Sequence, residues 1–420
     1  MSPVLRVSCG WPKITVLSIG FLMQKKWLLV LFCASALVTI SLGIRQSMGL
    51  FLEPISFEMG TGREVFSFAI AIQNLLWGIS SPLFGMLAER IGGWKVASLG
   101  GLFYAIGLLT MTGLVTPEGM IIGNVLIGLG LGSAGISIAL GAVSRTVPDN
   151  KRSLAFGVVT SLGSFGQFAL VPFAQFMILD LGWAMAMVSL SFVAASMVAI
   201  GMGLRSSDTT APSKTVEASL GRTVKHAFTS RDYILLTIGF FVCGLHLVFI
   251  TTHLPVYLED KGMAPEIASW SLSLVGLFNI AGALFFGWIG GVTSKKVPLA
   301  LIYLARTLII AAFITFPVTP ASALMFGAAM GFVWLGTIPL TSGLIVTFFG
   351  PRHIATLYGF VFLSHQLGSF MGAWLGGRLY DVFGNYELMW SINLIAGLAA
   401  FIVHMVIREK PVPIPELARA

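Results

Sequence analysis

Long apolar stretches recur along the chain, and each is about the length of a helix that crosses a membrane. A helix crosses the hydrocarbon core of a bilayer with about 20 apolar residues. Twelve stretches have this length, and we number them spans 1–12. They lie at 27–52, 65–87, 95–115, 119–143, 153–178, 183–204, 233–257, 266–289, 297–317, 320–348, 354–376 and 387–407. The pattern predicts an all-α membrane protein with twelve transmembrane helices.

One polar connection is much longer than the others and divides the spans into two groups of six. We therefore expect an N-terminal six-helix half at 27–204, a linker at 205–232 and a C-terminal six-helix half at 233–408. Residues 1–26 would form an N-terminal cytoplasmic segment, and residues 409–420 a cytoplasmic tail.

The two halves repeat short motifs at matching places. Segment 85–95 follows span 2, and a similar segment with glycines and lysines, 287–296, follows span 8. Segments 180–182 and 381–384 end spans 5 and 11, and each runs from an aspartate to a glycine. Two parallel, pseudo-symmetric halves with a site between them near the middle of the membrane are a transporter architecture.

The basic residues predict how the chain is oriented in the membrane. Of 25 lysines and arginines, 20 lie in segments on the side that holds the N-terminus, three lie on the opposite side and two lie inside spans. Cytoplasmic loops carry such an excess of Lys and Arg. We call this side inner and the opposite side outer. The distribution predicts a multi-pass protein of a bacterial cytoplasmic (inner) membrane with both termini in the cytoplasm.

The composition of the chain indicates which partners to expect. The chain is 56% hydrophobic and only 10% charged, whereas soluble domains carry about 25% charged residues. The net charge of +8 would suggest nucleic acid as a partner of a soluble protein, but here the charges lie in short loops and follow from topology. We expect a lipid bilayer and a small-molecule substrate as partners, no nucleic acid, and a monomer.

The loop after span 2 resembles the signature Gly-x-Leu-Ala-Asp-Arg-x-Gly-Arg-Lys/Arg of the major facilitator superfamily. The matching positions are Gly85, Leu87, Ala88, Arg90, Gly92 and Lys95, with Glu89 in place of Asp. The resemblance implies the major facilitator fold, and it implies that this gating motif latches neighbouring helices in the outward-facing state. The alternative for Glu89 and Arg90 is a solvated turn.

Two further segments are similar to the monocarboxylate-porter branch, which includes the oxalate/formate exchanger. Segment 43–54 in span 1 resembles Gly-x-x-Lys-Ser-x-x-Val-Phe-Phe-x-Glu, and segment 151–157 resembles Lys-Arg-Arg-x-Leu-Ala-x-Gly. The chain departs from this branch in span 8, where Asn279 and Ala283 stand in place of an Asp/Arg pair. The lysine that the exchanger has in span 11 has no clear equivalent, although His365 lies in that span.

Two arginines lie inside spans, where a charged side chain costs about 2.5–3.5 kcal/mol. They are Arg45 in span 1 and Arg306 in span 9, and no Asp or Glu lies in the middle of any span. Glu53, at the outer end of span 1, is the nearest acid. An unpaired arginine favours an anion, because its planar fork binds a carboxylate through two hydrogen bonds. The alternative is an arginine bonded to backbone carbonyls of an adjacent broken helix, and for Arg306 both interpretations stay open.

Other polar residues inside spans predict the rest of the site. Histidine titrates near neutral pH, so His246 and His365 are candidates for substrate binding and, with Glu53, for proton coupling. Gln73, Asn279 and Gln366 would orient the substrate. The alternative for each of these polar residues is a hydrogen bond between helices.

The sequence has no nucleotide-binding loop, metal cluster or nucleophile constellation, so we expect no enzyme activity, cofactor or metal. The prediction is a secondary transporter of a small organic anion, with a monocarboxylate as first choice, working by alternating access. Proton symport, exchange and uniport stay open. One alternative is a carrier of a larger aromatic solute, such as a flavin, an aromatic amino acid or a drug. A membrane sensor without transport is a weaker alternative.

Overall fold

The computed structural model describes residues 14–207, 223–350 and 354–412, which form helices and short connecting turns without a strand. The start of the predicted N-terminal segment, the middle of the predicted linker and the end of the predicted tail lie outside the described residues. This all-α architecture confirms the fold class expected from the apolar pattern.

Most spans are single helices that extend a few residues beyond their apolar cores. The bounds for spans 2, 3, 5, 6, 7, 8, 9, 11 and 12 are Arg63–Ile91, Gly93–Gly113, Asp149–Leu181, Trp183–Met202, Arg231–Asp260, Pro265–Val292, Lys296–Thr315, Ile354–Phe383 and Glu387–Val406. By length and composition, 11 stretches of the described chain can cross a membrane. Span 11 is not among them, although its helix has 30 residues, and its centre contains the polar run 364–366.

Three spans are interrupted, which the continuous apolar pattern does not show. Span 1 runs as Ile14–Ser47, a 3-10 turn at Met48–Phe51, and Leu52–Met59. Spans 4 and 10 occupy equivalent places in the two halves, and both are broken. Their helices are Pro117–Ala134 and Ile136–Thr146 in span 4, and Pro320–Phe332 and Thr337–Phe349 in span 10. A break leaves backbone carbonyls without helical partners, and buried carbonyls need other donors.

The two groups of six helices meet along three contacts. Span 2 packs against span 11, span 5 against span 8, and the 3-10 turn of span 1 against span 7. Glycines permit two of these approaches: Gly276 of span 8 lies on the backbone of span 5, and Gly78 of span 2 lies against Gln366 of span 11. Small residues at helix interfaces let backbones approach closely in membranes.

The two halves contact each other at their outer ends and in the middle of the spans. At Gly49 a Cβ would overlap the backbone oxygen of Thr251, so spans 1 and 7 are in direct contact there. Among the described residues, the hydrogen bonds between the halves lie at the outer ends, such as Arg63 with Asp260, or in the middle of spans 5 and 8, such as Asn279 with Ser164. The structure is therefore closed on the outer side.

The gating motif fits this state. Glu89 and Arg90 are both exposed, and within the described residues neither forms an ion pair. A latch that operates in the outward-facing state would be released in an outward-closed structure. The latch role itself stays a prediction.

Candidate functional site

Arg45 lies at the end of the long helix of span 1, just before the 3-10 turn, and points between spans 1 and 2. Its Nη2 donates to Asn74 Oδ1 at 2.7 Å, and its Nη1 donates to Gln46 Oε1 at 3.2 Å. The guanidinium carbon is 5.1 Å from the centre of the Trp77 ring. Both hydrogen-bond acceptors are neutral amides, so the charge of Arg45 has no acidic partner among the described side chains.

A small cavity lies beside Arg45, between the two halves. Its volume is about 10 Å³, which is room for about one water molecule. Spans 1 and 2 of the N-terminal half and span 7 of the C-terminal half form its wall. The lining residues are Arg45, Met48, Gly49, Ile70, Gln73, Asn74, Val248, Thr251 and Thr252.

Two polar groups in the cavity wall have no protein partner. The Nε of Arg45 is buried without an acceptor, and both amide atoms of Gln73 are buried without hydrogen bonds. Gln73 has no exposed surface at all. A buried polar group without a partner costs about 1–3 kcal/mol, so such groups normally meet a ligand or an ordered water. The positive charge and the unpartnered donors together suit an anion that carries hydrogen-bond acceptors.

An aromatic wall continues from Arg45 towards span 11. Trp77 meets Phe362 edge-on, with ring centres 5.3 Å apart. Phe362 stacks on His365 with an interplanar angle of 10°, and His365 also contacts Phe240. The Arg45 side is thus connected to His365 through ring contacts rather than through hydrogen bonds.

The structure places His365 and Gln366 together, one helical turn from Ser369. His365 Nδ1 lies 3.1 Å from Gln366 Oε1 and 3.3 Å from the Ser369 hydroxyl. The Nε2 of Gln366 is buried without a partner, and its side chain packs against Gly78 of span 2. Neither residue lines the Arg45 cavity; Gln366 contacts the N-terminal half directly, whereas His365 reaches it only through Phe362.

His246 and Asn279 lie away from the cavity. His246 is fully buried, and its Nε2 is 2.9 Å from the backbone oxygen of Asn393 in span 12. Asn279 donates to the Ser164 hydroxyl of span 5 at 2.8 Å and accepts from the backbone N–H of Leu335 at 2.9 Å. Asn279 therefore ties span 8 to span 5 and to the break in span 10. The substrate-binding roles assigned to both residues stay predictions.

Arg306 is fully buried and bonded to the break in span 10. Its Nε and Nη2 donate to the Val333 carbonyl at 3.0 and 2.9 Å, and Nη2 also donates to the Trp334 carbonyl. Its Nη1 lies 3.4 Å from the Cys243 sulfur. Every nitrogen of the guanidinium thus has an acceptor inside the protein. This geometry matches the second interpretation offered by the sequence, an arginine that satisfies an adjacent broken helix.

Glu53 lies outside the cavity, at the outer end of the halves. Its Oε2 accepts from Arg63 at 2.9 Å, and Arg63 also bonds Asp260 of span 7. From the sequence, Arg63 counts only as one of the three basic residues on the outer side. One signal marked it: Arg63 is the first residue of a helix, where the helix dipole disfavours a cation.

The fold and the site define a class of protein. Two helical halves, closed against each other on the outer side, enclose a polar cavity with an uncompensated cation, as in a membrane carrier. The Major Facilitator Superfamily profile matches residues 28–373, and the chain belongs to this superfamily.

Similar proteins agree with this class. The chain is 28% identical over 398 residues to "Monocarboxylate transporter 13" of Rattus norvegicus, covering 90% of this chain and 88% of the relative. It is 24% identical over 403 residues to "Uncharacterized MFS-type transporter YcxA" of Bacillus subtilis, covering 90% and 94%. It is 21% identical over 387 residues to "Oxalate:formate antiporter" of Oxalobacter formigenes, covering 90% and 91%. The chain is therefore a multi-pass transporter of the superfamily.

Proposed function

We propose that the protein carries a small organic anion, a monocarboxylate, across the membrane by alternating access. The observation that carries this proposal is the unpartnered Nε of Arg45 beside the unpartnered amide of Gln73, in a cavity between the two halves. The names of two relatives, a monocarboxylate transporter and an oxalate:formate antiporter, support the same substrate class.

Arg45 has the geometry for a carboxylate. A carboxylate accepts two parallel hydrogen bonds from a guanidinium edge, and such charge-assisted bonds are about twice as strong as neutral ones. The Nε is free, and Nη1 and Nη2 are held only by the neutral amides of Gln46 and Asn74, which an anion displaces readily. The Nε2 of Gln73 supplies a further donor, and Thr251 and Thr252 close the wall on span 7.

The cavity holds about one water in this state, in which the outer ends are closed. In the proposed cycle a substrate reaches Arg45 from the inner side, and from the outer side after the halves rock. We place the inner side in the bacterial cytoplasm, on the strength of the basic loops, with 27–204 and 233–408 as the moving halves and 205–232 as their linker. We take the carrier to be a monomer.

We further propose a proton gradient as the energy source, with His365 as the first candidate for the coupling group. His365 is 8% exposed and stacks on Phe362, which contacts Trp77 of the other half. His246 is fully buried against span 12, and Glu53 is held by Arg63, so both rank below His365.

A larger aromatic solute is a second candidate. The half-buried rings of Phe362 and Tyr358 stack at 18°, and with Trp77 they form an apolar surface next to the cation. Such a surface would hold an aromatic ring, with Arg45 binding an attached carboxylate.

Uptake into proteoliposomes tests the proposal. Purified protein should take up radiolabelled small monocarboxylates saturably, and the matching neutral amides should neither be taken up nor compete. Uptake with an imposed pH gradient, compared with counterflow from preloaded vesicles, distinguishes symport from exchange. Saturable uptake of a neutral or cationic solute, with no competition by any carboxylate, would overturn the anion assignment.

A further inference from the structure

Arg63 joins the outer ends of the two halves through several contacts. Arg63 begins span 2 and is only 6% exposed. It makes two hydrogen bonds to Asp260 at the end of span 7, from Nη1 at 2.6 Å and from Nη2 at 2.8 Å. It also donates to Glu53 of its own half at 2.9 Å and to the hydroxyl of Tyr386, the residue before span 12, at 3.2 Å. The Tyr380 ring covers the guanidinium at 3.8 Å. One side chain from the N-terminal half thus contacts three elements of the C-terminal half.

A second contact crosses the halves at the same place. The Asp381 carboxylate, at the outer end of span 11, accepts from the backbone N–H of Arg63 at 2.9 Å and from that of Glu64 at 2.8 Å. A carboxylate at a helix N-terminus satisfies amides that have no helical partner. Here the capping residue belongs to the other half, so the helix of span 2 is capped only while the outer side is closed.

The repeat shows that this cap is not a general feature of the fold. Asp180 stands in the N-terminal half where Asp381 stands in the C-terminal half. Asp180 is exposed, and none of the hydrogen bonds found among the described residues involves its carboxylate. Only Asp381 of these two equivalent aspartates makes the contact. This is expected for a gate, whereas a contact needed for the structure of both halves would be present in each.

We propose that Arg63, Glu53, Asp260 and Asp381, which we call the outer clasp, form the outer gate of the transport cycle. The proposal rests on the alternating-access function proposed above. On opening, Arg63 keeps Glu53, because both belong to the N-terminal half, and loses Asp260 and Asp381. Glu53 then holds the arginine in place for the next closure.

The clasp is connected to the Arg45 site along span 1. Arg45 and Glu53 lie on either side of the 3-10 turn Met48–Phe51, and Gly49 in this turn contacts the Thr251 backbone at the cavity wall. Straightening or tightening this turn moves Glu53 relative to Arg45. Through this turn, substrate binding at Arg45 would change the position of Glu53 in the outer clasp.

The side chains around the outer clasp include acidic, basic and neutral groups. Besides Glu53, Asp260 and Asp381, Arg63 faces Tyr380 and Tyr386, and His253 Nδ1 lies 3.2 Å from the Tyr386 hydroxyl. Glu64 pairs with Arg378 across the halves at 2.9 Å, at a more exposed position. Exposed ion pairs contribute little, so this outer pair should matter less than the buried Arg63 contacts.

Cysteine accessibility tests the gate without any substrate. Ser67 lies one turn below Arg63, is fully buried and faces Gly377 of span 11, so Ser67→Cys reports on opening. The reporter is placed in a chain whose native Cys9, Cys33 and Cys243 are replaced by serine. A membrane-impermeant maleimide is applied to each face of sealed vesicles in turn.

We expect Asp260→Asn and Arg63→Gln to raise the labelling rate from the outer face by about 10-fold, because they shift the population towards the outward-open state. Asp381→Asn should act in the same direction, and Glu64→Gln less. Glu58→Gln is the matched control: Glu58 is also an outer acid, but it bonds Trp183 within its own half, at 2.6 Å. It should leave the rate within about 2-fold of the parent.

Unfolding is distinguished from opening by a second reporter. Cys243 is fully buried inside the C-terminal half, so in a chain that keeps it as the sole cysteine it is labelled only on unfolding. The charge swap Arg63→Asp with Asp260→Arg should restore slow labelling of Ser67→Cys. Equal labelling of the clasp variants and Glu58→Gln, or labelling of Cys243 in step with Ser67→Cys, would overturn the gate. Failure of carboxylate uptake alone would leave it standing.

Discussion

The two arginines inside spans, Arg45 and Arg306, look alike in the sequence and differ completely in their surroundings. Arg306 is enclosed, and each of its nitrogens has an acceptor, mainly the carbonyls of Val333 and Trp334 at the break in span 10. Arg45 is partly exposed, its Nε has no acceptor, and it borders the cavity between the halves. A structural arginine has an acceptor for every guanidinium nitrogen, whereas a ligand-binding arginine keeps a free donor. Depth in the membrane does not distinguish the two.

The comparison also assigns the polar amides. Asn279 uses both its oxygen and its nitrogen to join spans 5, 8 and 10, as Arg306 joins spans 9 and 10. Gln73 uses neither, although it is equally buried. The N-terminal half thus supplies the unpartnered groups of the cavity, whereas Asn279 and Arg306 of the C-terminal half bond the broken helix of span 10.

The largest expected effect is on stability. Arg306→Met leaves the carbonyls of Val333 and Trp334 without donors, and each such loss costs about 1–3 kcal/mol. We expect a clear fall in the thermal unfolding midpoint of the purified protein. Arg45→Met is the matched variant, and it should change the midpoint little because its partners are amides that can bond water in the cavity. If both variants lowered the unfolding midpoint equally, the assignment of a structural role to Arg306 but not to Arg45 would be wrong.

A smaller effect is expected on the KM of Arg45→Lys, which distinguishes the charge of Arg45 from the geometry of its guanidinium. Arg45→Lys keeps the positive charge and removes the planar fork, so we expect the KM for a carboxylate substrate to rise about 10-fold. The same exchange at Arg306 should leave the KM of the folded protein unchanged. The measurement is initial uptake against substrate concentration in proteoliposomes with equal amounts of folded carrier. An unchanged KM in Arg45→Lys would show that the substrate does not use the fork.

Gln73 should give the smallest effect and a distinctive one. Gln73→Leu removes two buried polar atoms that have no partner, so the unfolding midpoint should stay the same or rise. Substrate affinity should fall about 5-fold, as expected for the loss of one hydrogen bond of about 1 kcal/mol. Thermal unfolding with and without substrate measures both quantities on one sample. A falling midpoint with unchanged affinity would make Gln73 a structural residue.

Much of the fold could be predicted because membrane crossing leaves a strong pattern. The length of the apolar stretches located the spans, and the alternation of Lys and Arg between the loops was consistent with twelve of them. The breaks at Gly135 and at 333–336 escaped prediction, since the residues around them are as apolar as any continuous helix. The hydrogen bonds of Arg306 are made to the carbonyls of such a break, so the sequence alone left its role open. Arg63 was hidden for another reason: its partners Asp260 and Asp381 lie far along the chain, and only the folded halves bring them together.

The most direct test of the account is carboxylate-induced stabilisation of the purified wild-type protein and of Arg45→Gln. A ligand that binds only the folded state raises the unfolding midpoint with its concentration. A panel of small monocarboxylates, with the matching amides as controls, is added to both proteins. The account predicts that at least one carboxylate stabilises the wild type, that its amide does not, and that Arg45→Gln loses the response while unfolding at the wild-type midpoint without ligand. An undiminished response to the same carboxylate in Arg45→Gln would contradict it.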